Sequence, residues 1–469
     1  MESTADGGDD FLREHAQAAP VPGIVVLMQA AEPSVGTIAI TRAASGVELG
    51  RGVPHGLFAD DAQVSRGHVR VAIQSGVENA IDSTEVRFDV EDLGSRNGTF
   101  LNGVRLTGVA TQAAPALLRI GRSLLWLVAD IRPFTGQQKH AHQAQQGPVM
   151  GGLTRRALGE IALASKSGDT LLVLGESGSG KEGMARAFHE AQYGQNSRAP
   201  FIAVNCAAIP EGLAERLLFG AKRGAFSGAT DADGYILEAH GGTLFLDEIA
   251  ELDPLVQAKL LRVLETREVV ALGSVAPRKV QIRICAATHK DLRNEVSAGR
   301  FRADLYYRVG RPEVRVPPLR ERLDEIPWLL ARVCQSVAPQ LQAAVATVEA
   351  CALRHWPGNV RELLTEARRA AHAALAEGSD VLRPDHFSAD AGQPLAPTSI
   401  DSPQSPQSAQ PESSKSASAL DDAAIEAALA EHAGNVSRAA KALGLHRNQL
   451  RRWVSKHQPT TQPPEADDE

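Results

Sequence analysis

The chain has 469 residues, enough for roughly three domains at about 150 residues each, which excludes a peptide or a single small fold. Its 49 basic and 56 acidic residues give a net charge of −7, so it does not coat nucleic acid or an anionic membrane along its whole length; any nucleic-acid contact is local. A hydrophobic content of 43% with 22% charged residues excludes wholesale disorder.

Residues 1–21 open with MESTADGGDD, acidic rather than basic, and read as a disordered lead without a targeting signal. No apolar run approaches the roughly 18 residues of a membrane-spanning helix. Cys206, Cys285, Cys334 and Cys351 are widely spaced and form no CxxC pair, so neither a zinc site nor a disulfide framework is expected, and a reducing cytoplasm is the simplest setting.

From 22 to 132, short apolar runs (GIVVLMQ, VRVAI, VRFDVEDL, LLWLVADI) alternate with Gly, Asn and Asp turns, which predicts an all-β domain. Within it, Gly50-Arg51, Ser65-Arg66-Gly67-His68 and the stretch DLGSRNGTFLNG, with Arg96 and Asn97, follow in that order. This set resembles a forkhead-associated (FHA) domain, a β-sandwich whose loops bind phosphothreonine peptides. The resemblance implies that Arg51 pairs with phosphate, Ser65 adds a hydrogen bond and Asn97 holds the peptide backbone, with Arg66 and Arg96 contributing charge. His68 is expected to brace the loops. The alternative is an FHA fold kept for protein packing alone.

Residues 133–149 (GQQKHAHQAQQGP within them) are polar and aperiodic, and read as a linker. From 150 to 388, buried-strand runs (TLLVLG, GTLFLDEI, VQIRICAAT) mix with helical stretches, predicting a parallel sheet with crossover helices and a helical end from about 323 to 388. Gly175, Glu176, Ser177, Gly178, Ser179, Gly180 and Lys181 fit GxxxxGK between an apolar strand and a helix, where backbone N–H groups cradle phosphate and Lys181 reaches its terminal oxygens. Glu182 stands where Ser or Thr meets magnesium. Asp247 and Glu248 end an apolar strand; one acid holds magnesium, through water, and the other polarises an attacking water. Together these specify hydrolysis of a nucleoside triphosphate with Mg2+, and the resemblance described next makes that nucleotide ATP.

Residues 175–364 carry GESGSGKE, VNCAAI, LLFGAKRGAFSGA, GGTLFLDEI, QAKLLRVLE, FRADLYYRV, VPPLRERLDEIP and WPGNVREL. They resemble the AAA+ domain of bacterial enhancer-binding proteins, ATPases that activate RNA polymerase holding sigma-54. The resemblance implies that Asn205 senses nucleotide by holding or releasing Glu248, and that Arg302 and Arg308 reach the neighbouring subunit's phosphates in a hexameric or similar ring. It also implies that Arg361 contacts nucleotide within the same subunit. Gly224, Ala225, Phe226, Ser227, Gly228 and Ala229 match the loop that touches sigma-54, with Ser227 in place of the usual Thr. His289 replaces the usual Asn of a nucleotide sensor.

Residues 389–419 are rich in Ser, Pro and Gln and read as a flexible linker. The block 420–458 is helical by period, and its segment 434–457 holds Arg438, Lys441, Arg447, Arg451, Arg452 and Lys456 with no acid. GNVSRAAKALGLHRNQLRRWVSKH resembles a Fis-type helix-turn-helix, with Ala439, Ala440, Leu443, Leu445 and Leu450 internal and Arg447, Asn448, Gln449, Arg451 and Arg452 facing the major groove of enhancer DNA as a dimer. An acidic tail, 459–469, follows.

The expected whole is a sigma-54-dependent activator governed by a phosphothreonine protein or a Ser/Thr kinase at its FHA domain. Two rivals stay open: an AAA+ remodeller of another partner, and a phosphopeptide-responsive DNA regulator with a degenerate ATPase.

Overall fold

A computed structural model describes residues 19–40, 46–53, 57–74, 86–135, 149–195, 197–210, 212–225, 230–394, 422–432, 436–443 and 450. The chain falls into two compact units, 1–396 and 397–469. The first holds an all-β layer and an α/β core with a helical lid; the described residues of the second are helical.

In the β-layer, β1 (Gly23–Gln29), β2 (Glu32–Ala39), β6 (Thr99–Leu101), β7 (Val104–Arg105), β9 (Ala116–Ile120) and β10 (Ser123–Val128) form a sheet of order β2-β1-β10-β9-β6-β7. The strands β3 (Val47–Leu49), β4 (Val69–Ile73), β5 (Arg87–Asp92) and β8 (Val109–Ala113) form a second sheet. Alternate side chains of β1 and β10 (Ile24, Val26, Leu125, Leu127) meet Leu49, Val69, Val71, Phe88 and Val90 of the second sheet in the sandwich core.

The other side chains of those strands are equally buried. Val25, Leu27, Leu124, Trp126 and Val128 share one apolar cluster with Leu323, Ile326, Leu329, Leu330 and Val333 of the ATPase lid. The strands read GIVVLM and LLWLV, continuous rather than alternating, because both faces of the sheet are covered. Phe134, in the segment read as a linker from composition, packs edge-on against Trp126 with ring centroids 5.1 Å apart, so the ordered layer runs beyond 132. At the cluster's rim Arg119 Nε donates to Glu349 Oε2 at 2.5 Å, and its guanidinium lies 3.8 Å from the Phe100 ring centroid. Trp126→Ala is expected to cost about 3 kcal/mol, and to raise amide exchange in the lid helix 326–337 as well as in β10. Unchanged exchange in that helix would show that the two layers do not depend on each other.

The ATPase core is a five-stranded parallel sheet made of β11 (Thr170–Leu174), β12 (Phe201–Asn205), β13 (Thr243–Asp247), β16 (Arg283–Thr288) and β17 (Glu313–Arg315), in the order β12-β13-β16-β11-β17. Between β13 and β16 lies a short hairpin, β14 (Glu268–Val269) with β15 (Arg278–Lys279). One face of the sheet packs through Leu172, Leu244, Leu246 and Ile284 on α5 (Pro254–Thr266) and α7 (Ala303–Val309). The other packs through Leu171, Val173, Phe245 and Cys285 on α1 (Gly152–Ser167) and α2 (Lys181–Tyr193). Burial on both faces explains the near-continuous apolar strands.

The lid helices α8 (Ile326–Val337), α9 (Val345–Ala352) and α10 (Asn359–Ala376) surround Trp356, which is fully buried and donates its indole N–H to Cys351 O at 2.7 Å. All four cysteines are buried free thiols. Burial raises each pKa, Cys334 to about 11 and Cys206 and Cys351 to about 12, so none is poised as a thiolate.

In the second unit α11 (Asp422–Glu431) and α12 (Val436–Ala442) close on Ile425, Ala428, Ala439, Ala440 and Leu450, with Leu443 packed against them. Leu445, Arg447, Asn448, Gln449, Arg451 and Arg452 lie outside the described residues.

Candidate functional site

The turn from β11 into α2 carries the phosphate loop at the carboxyl edge of the sheet, where open α/β sheets place their ligands. Gly180 has φ +104° and Gly178 φ +72°, left-handed values that favour glycine. At Gly178 a Cβ would come within 2.2 Å of Gly358 O, so the lid backbone rests directly on the loop. Lys181, 6% exposed, donates to Gly175 O at 3.0 Å and to Glu248 Oε1 at 2.9 Å. Ser179 Oγ is buried without a hydrogen-bond partner, a polar atom left inside the cradle.

Asp247 ends β13 and Glu248 follows it at φ +53°. Burial raises the pKa of Asp247, with Lys181 acting in the opposite direction. Burial works on Glu248 too, yet hydrogen bonds from Lys181 and His289 hold it below the ordinary carboxylate value. His289 Nδ1 lies 2.7 Å from Glu248 Oε2, and the His289 backbone N–H donates to the same oxygen at 3.3 Å.

Asn205, expected to hold or release Glu248, makes no hydrogen bond to it among the described residues; its Oδ1 accepts from Ala207 N–H at 3.0 Å, capping the turn 206–208 straight after β12. Glu182 does not face the phosphates: it is on the first turn of α2, points to solvent and pairs with Arg186 one turn on at 2.7 Å. With Glu182 turned away, Asp247, at the end of β13, is the carboxylate that could hold a magnesium ion. This is compatible with an ion that keeps several waters and phosphate oxygens as ligands.

The lid supplies clamps beyond the one expected. Arg361 approaches Ser177 Oγ at 3.5 Å. Asn359, buried at φ +51°, donates to Glu176 Oε2 and Ser177 O, each at 3.1 Å, and accepts from Leu319 N–H at 2.8 Å. Arg320 takes Glu176 in two bonds of 2.9 and 2.7 Å and keeps it ionised. Arg322, 3% exposed, donates to Ser179 O at 2.7 Å and reaches Glu325 and Thr154 Oγ1, binding the phosphate loop to the start of α1. Sequence reading missed Asn359, Arg320 and Arg322, although WPGNVREL and PPLRERLDE contain all three.

Neither Arg302 nor Arg308 bonds to its own phosphate loop. Arg302 pairs with Asp304 at 2.7 Å, Arg308 donates to Leu264 O at 3.2 Å, and Tyr307 between them is 79% exposed.

Of the loop 224–229, only Gly224 and Ala225 are described; Phe226, Ser227, Gly228 and Ala229 lie outside the described residues. Its stem is closed by pairing of Ala221 with Ala232, and Arg223 N–H donates to Asp231 at 2.8 Å. A second loop, between β14 and β15, abuts it. Leu272 bridges to Ala221, a Cβ on Gly273 would meet Ala225 at 2.7 Å, and Val275 is 99% exposed.

In the β-layer the expected peptide-binding residues come together at one end. Arg51 N–H donates to Ser65 O at 2.8 Å, Arg96 N–H to Ser65 Oγ at 3.1 Å, and Asn97 Nδ2 to Gln63 O at 2.7 Å. At Gly50 a Cβ would come within 2.2 Å of Arg66 O, so glycine permits the two loops to touch. His68, fully buried, accepts from Ser65 N–H at 3.0 Å and reaches Gly98 O at 3.3 Å, which is a bracing role. Burial lowers its pKa and favours the neutral ring.

Asp92 pins the loop of Arg96 and Asn97. Burial opposes its ionisation, but bonds from the Ser95 hydroxyl (2.6 Å) and from Ser95 and Gly94 N–H bring its pKa down to about 2. A depressed folded-state pKa stabilises above the unfolded value near 4, and that contribution is lost as pH falls towards 2. Amide protection at residues 94–97, corrected for the intrinsic exchange rate at each pH, is therefore expected to fall between pH 4 and 2 in the wild type, with the fall absent in Asp92→Asn.

Comparison with known proteins agrees with this arrangement. The profile of the Sigma-54 interaction domain matches residues 152–315, the AAA+ ATPase lid domain 320–399, the FHA domain 47–125, and the bacterial regulatory protein, Fis family, 418–456. The transcriptional regulatory protein ZraR of Klebsiella oxytoca is 42% identical over 308 residues, 64% of this chain and 67% of that protein. The anaerobic nitric oxide reductase transcription regulator NorR of Aeromonas hydrophila is 42% identical over 369 residues, 75% of this chain and 71% of that protein. For the Nif-specific regulatory protein of Azotobacter vinelandii the identity is 40% over 303 residues, 63% of this chain and 56% of that protein, so a large part of each relative is unmatched. Among solved structures, NtrX from Brucella abortus in complex with ATP shows 25% identity and a TM-score of 0.47, covering 69% of this chain and 73% of that one. No helix among the described residues is long and apolar enough to cross a membrane.

Proposed function

Because the chain belongs to the sigma-54-dependent transcriptional regulators and carries their AAA+ ATPase, we propose that it binds upstream DNA and uses ATP hydrolysis to remodel the promoter complex of sigma-54 RNA polymerase. Phosphothreonine recognition at the FHA loops controls this activity. The chain acts in the cytoplasm, bound to DNA through its Fis-type segment as a dimer and working as a hexameric or similar ring.

At the nucleotide, the N–H groups of 178–181 and the start of α2 hold phosphate oxygens, Lys181 leaves Glu248 to meet the terminal phosphates, and Arg361 closes from the lid. Magnesium, when bound, neutralises charge on the terminal phosphates, and Asp247 is the side chain placed to hold it. Glu248 then orients the attacking water. Arg302 and Arg308 act on the neighbouring subunit's site.

One observation carries the reading. Ile249, the residue after Glu248, lies in the same apolar cluster as Leu218 and Phe219, which lead into the stem of the loop 224–229. A rearrangement at Glu248 therefore has a packed route to that loop.

The test is open-complex formation on a sigma-54 promoter, read by permanganate footprinting, with hydrolysable and non-hydrolysable nucleotide and with or without a phosphothreonine peptide. Melting that needs hydrolysis supports the proposal; no melting in any condition overturns it. A photocrosslinker at position 226 separates sigma-54 from any other client. Loss of the peptide response in Arg51→Ala separates phosphopeptide reading from mere packing.

A further inference from the structure

We propose that Glu362 is a positioning residue that fastens the lid turn facing the phosphate loop to the segment 388–394, and so makes that segment part of the nucleotide site. The proposal rests on the ATPase reading above. The segment is the last described stretch of the first compact unit; the second, which carries the Fis-family match, begins at 397.

The turn between α9 and α10 carries Asn359 and Arg361, which reach the phosphate loop, and Gly358, whose carbonyl lies against Gly178. Trp356 and Asn359 in this turn both have φ +51°, a left-handed backbone that non-glycine residues disfavour, so its shape persists only where the surroundings hold it. Glu362 holds it with both oxygens. Oε2 accepts from Gly358 N–H at 2.8 Å, and Oε1 accepts from Gly392 N–H at 2.9 Å, thirty positions further along the chain. Gly392 O in return accepts from the N–H groups of His355 and Trp356 at 2.9 and 3.1 Å. Arg354 donates to Ser388 O at 3.0 Å and to Ala391 O at 2.9 Å, so the segment is tied to the start of the turn as well as to its end. Pro394 then lines an open cleft of about 540 Å3 together with Glu176, Ser177 and Arg320.

Helix capping at the start of α10 accounts for the bond to Gly358 alone. The bond to Gly392 has no such local explanation. Two N–H donors arriving at two oxygens require an acceptor at each, which a carboxylate supplies and an amide of the same shape does not: glutamine accepts at one end and presents N–H at the other. Glu362→Gln therefore keeps the bulk and breaks one of the two bonds. The segment can be disturbed independently at Gly392, which has φ +69° and where a Cβ would come within 2.8 Å of the Trp356 ring. Gly378 provides the matching control, since it lies just past α10 at φ +71° with no atom within 4 Å of an added Cβ. Alanine there imposes the same backbone strain on the lid and leaves the segment alone.

The experiment titrates full-length protein with a fluorescent ATP analogue. Glu362→Gln and Gly392→Ala are each expected to weaken binding by ~10-fold, the effect of one lost hydrogen bond to a charged group, while Gly378→Ala changes it less than about twofold. A double-mutant cycle with Arg361→Ala shows whether Glu362 acts through the turn. If it does, Glu362→Gln loses most of its effect in the Arg361→Ala background, whereas general destabilisation of the lid gives effects that add. The cycle does not depend on Gly392→Ala folding. Wild-type affinity in Glu362→Gln, additive effects in the cycle, or an equal loss in Gly378→Ala would each overturn the positioning role. A wild type that binds no nucleotide would instead overturn the ATPase reading, and this role with it.

Discussion

Arg308→Ala and, separately, Arg302→Ala are each expected to reduce ATP turnover by about 10^3-fold or more, the size of effect for a guanidinium that neutralises charge on a transferring phosphoryl group from a neighbouring subunit. Within one subunit, among the described residues, these arginines hold Asp304 and the carbonyl of Leu264, solvent-screened contacts that contribute little to the fold. A surface role would therefore leave turnover nearly intact. The check is steady-state ATPase under conditions where the oligomer is verified by light scattering. Mixing Arg308→Ala with Lys181→Ala subunits adds a direct test. Each variant supplies what the other lacks at a shared site, so partial recovery is expected; two cis-acting residues would give none.

Lys181→Ala is expected to lower turnover by at least ~10^2- to 10^3-fold, the magnitude for removing one preorganised charge partner from an active site. Unlike the arginine variants it should also weaken nucleotide binding, measured by titration with a fluorescent ATP analogue. Lys181 sits 6% exposed among Gly175 O and Glu248, and its removal leaves Glu248 bonded to His289 alone. The fold should persist, because α2 keeps Met184, Ala185 and Phe188 in the core beneath the sheet. Wild-type turnover no higher than that of the Lys181→Ala control would leave the degenerate-ATPase alternative standing.

The parts of the site most legible in the sequence are those whose geometry is local. A phosphate loop is seven contiguous residues between a strand and a helix, and the acids Asp247 and Glu248 directly follow an apolar strand, so spacing alone places them at the sheet's carboxyl edge. The FHA loops were legible for a similar reason: Gly50, Ser65 and Asn97 each stand at a turn beside a short strand. The partner of Glu248 was not legible. Residues 205, 248 and 289 come from three different strand ends, and which polar side chain reaches the carboxylate depends on how the backbone leaves each strand. Asn205 turns back to cap its own chain, and the imidazole at 289 is long enough to cross.

Interdomain packing was legible only in half. The runs GIVVLM and LLWLV carry more apolar residues than a one-sided sheet needs, which says that both faces are covered but not by what. Composition suggested a linker over 133–149. In the structure Trp126, Leu124 and Leu27 pack on Ile326, Leu329 and Leu330, and the part-buried pair of Arg119 and Glu349 joins residues 230 positions apart.

The sequence by itself determined the modules, their order and the chemistry each can perform, because strand and helix periods, the phosphate loop and the local excess of positive charge between 434 and 457 are properties of neighbours along the chain. The tertiary structure decided which side chain holds Glu248, how Asn359, Arg320 and Arg322 fasten the lid to the phosphate loop, and that the β-layer rests on that lid. Each of these depends on burial and on donors and acceptors meeting within about 3 Å, across distances in sequence that no local pattern encodes.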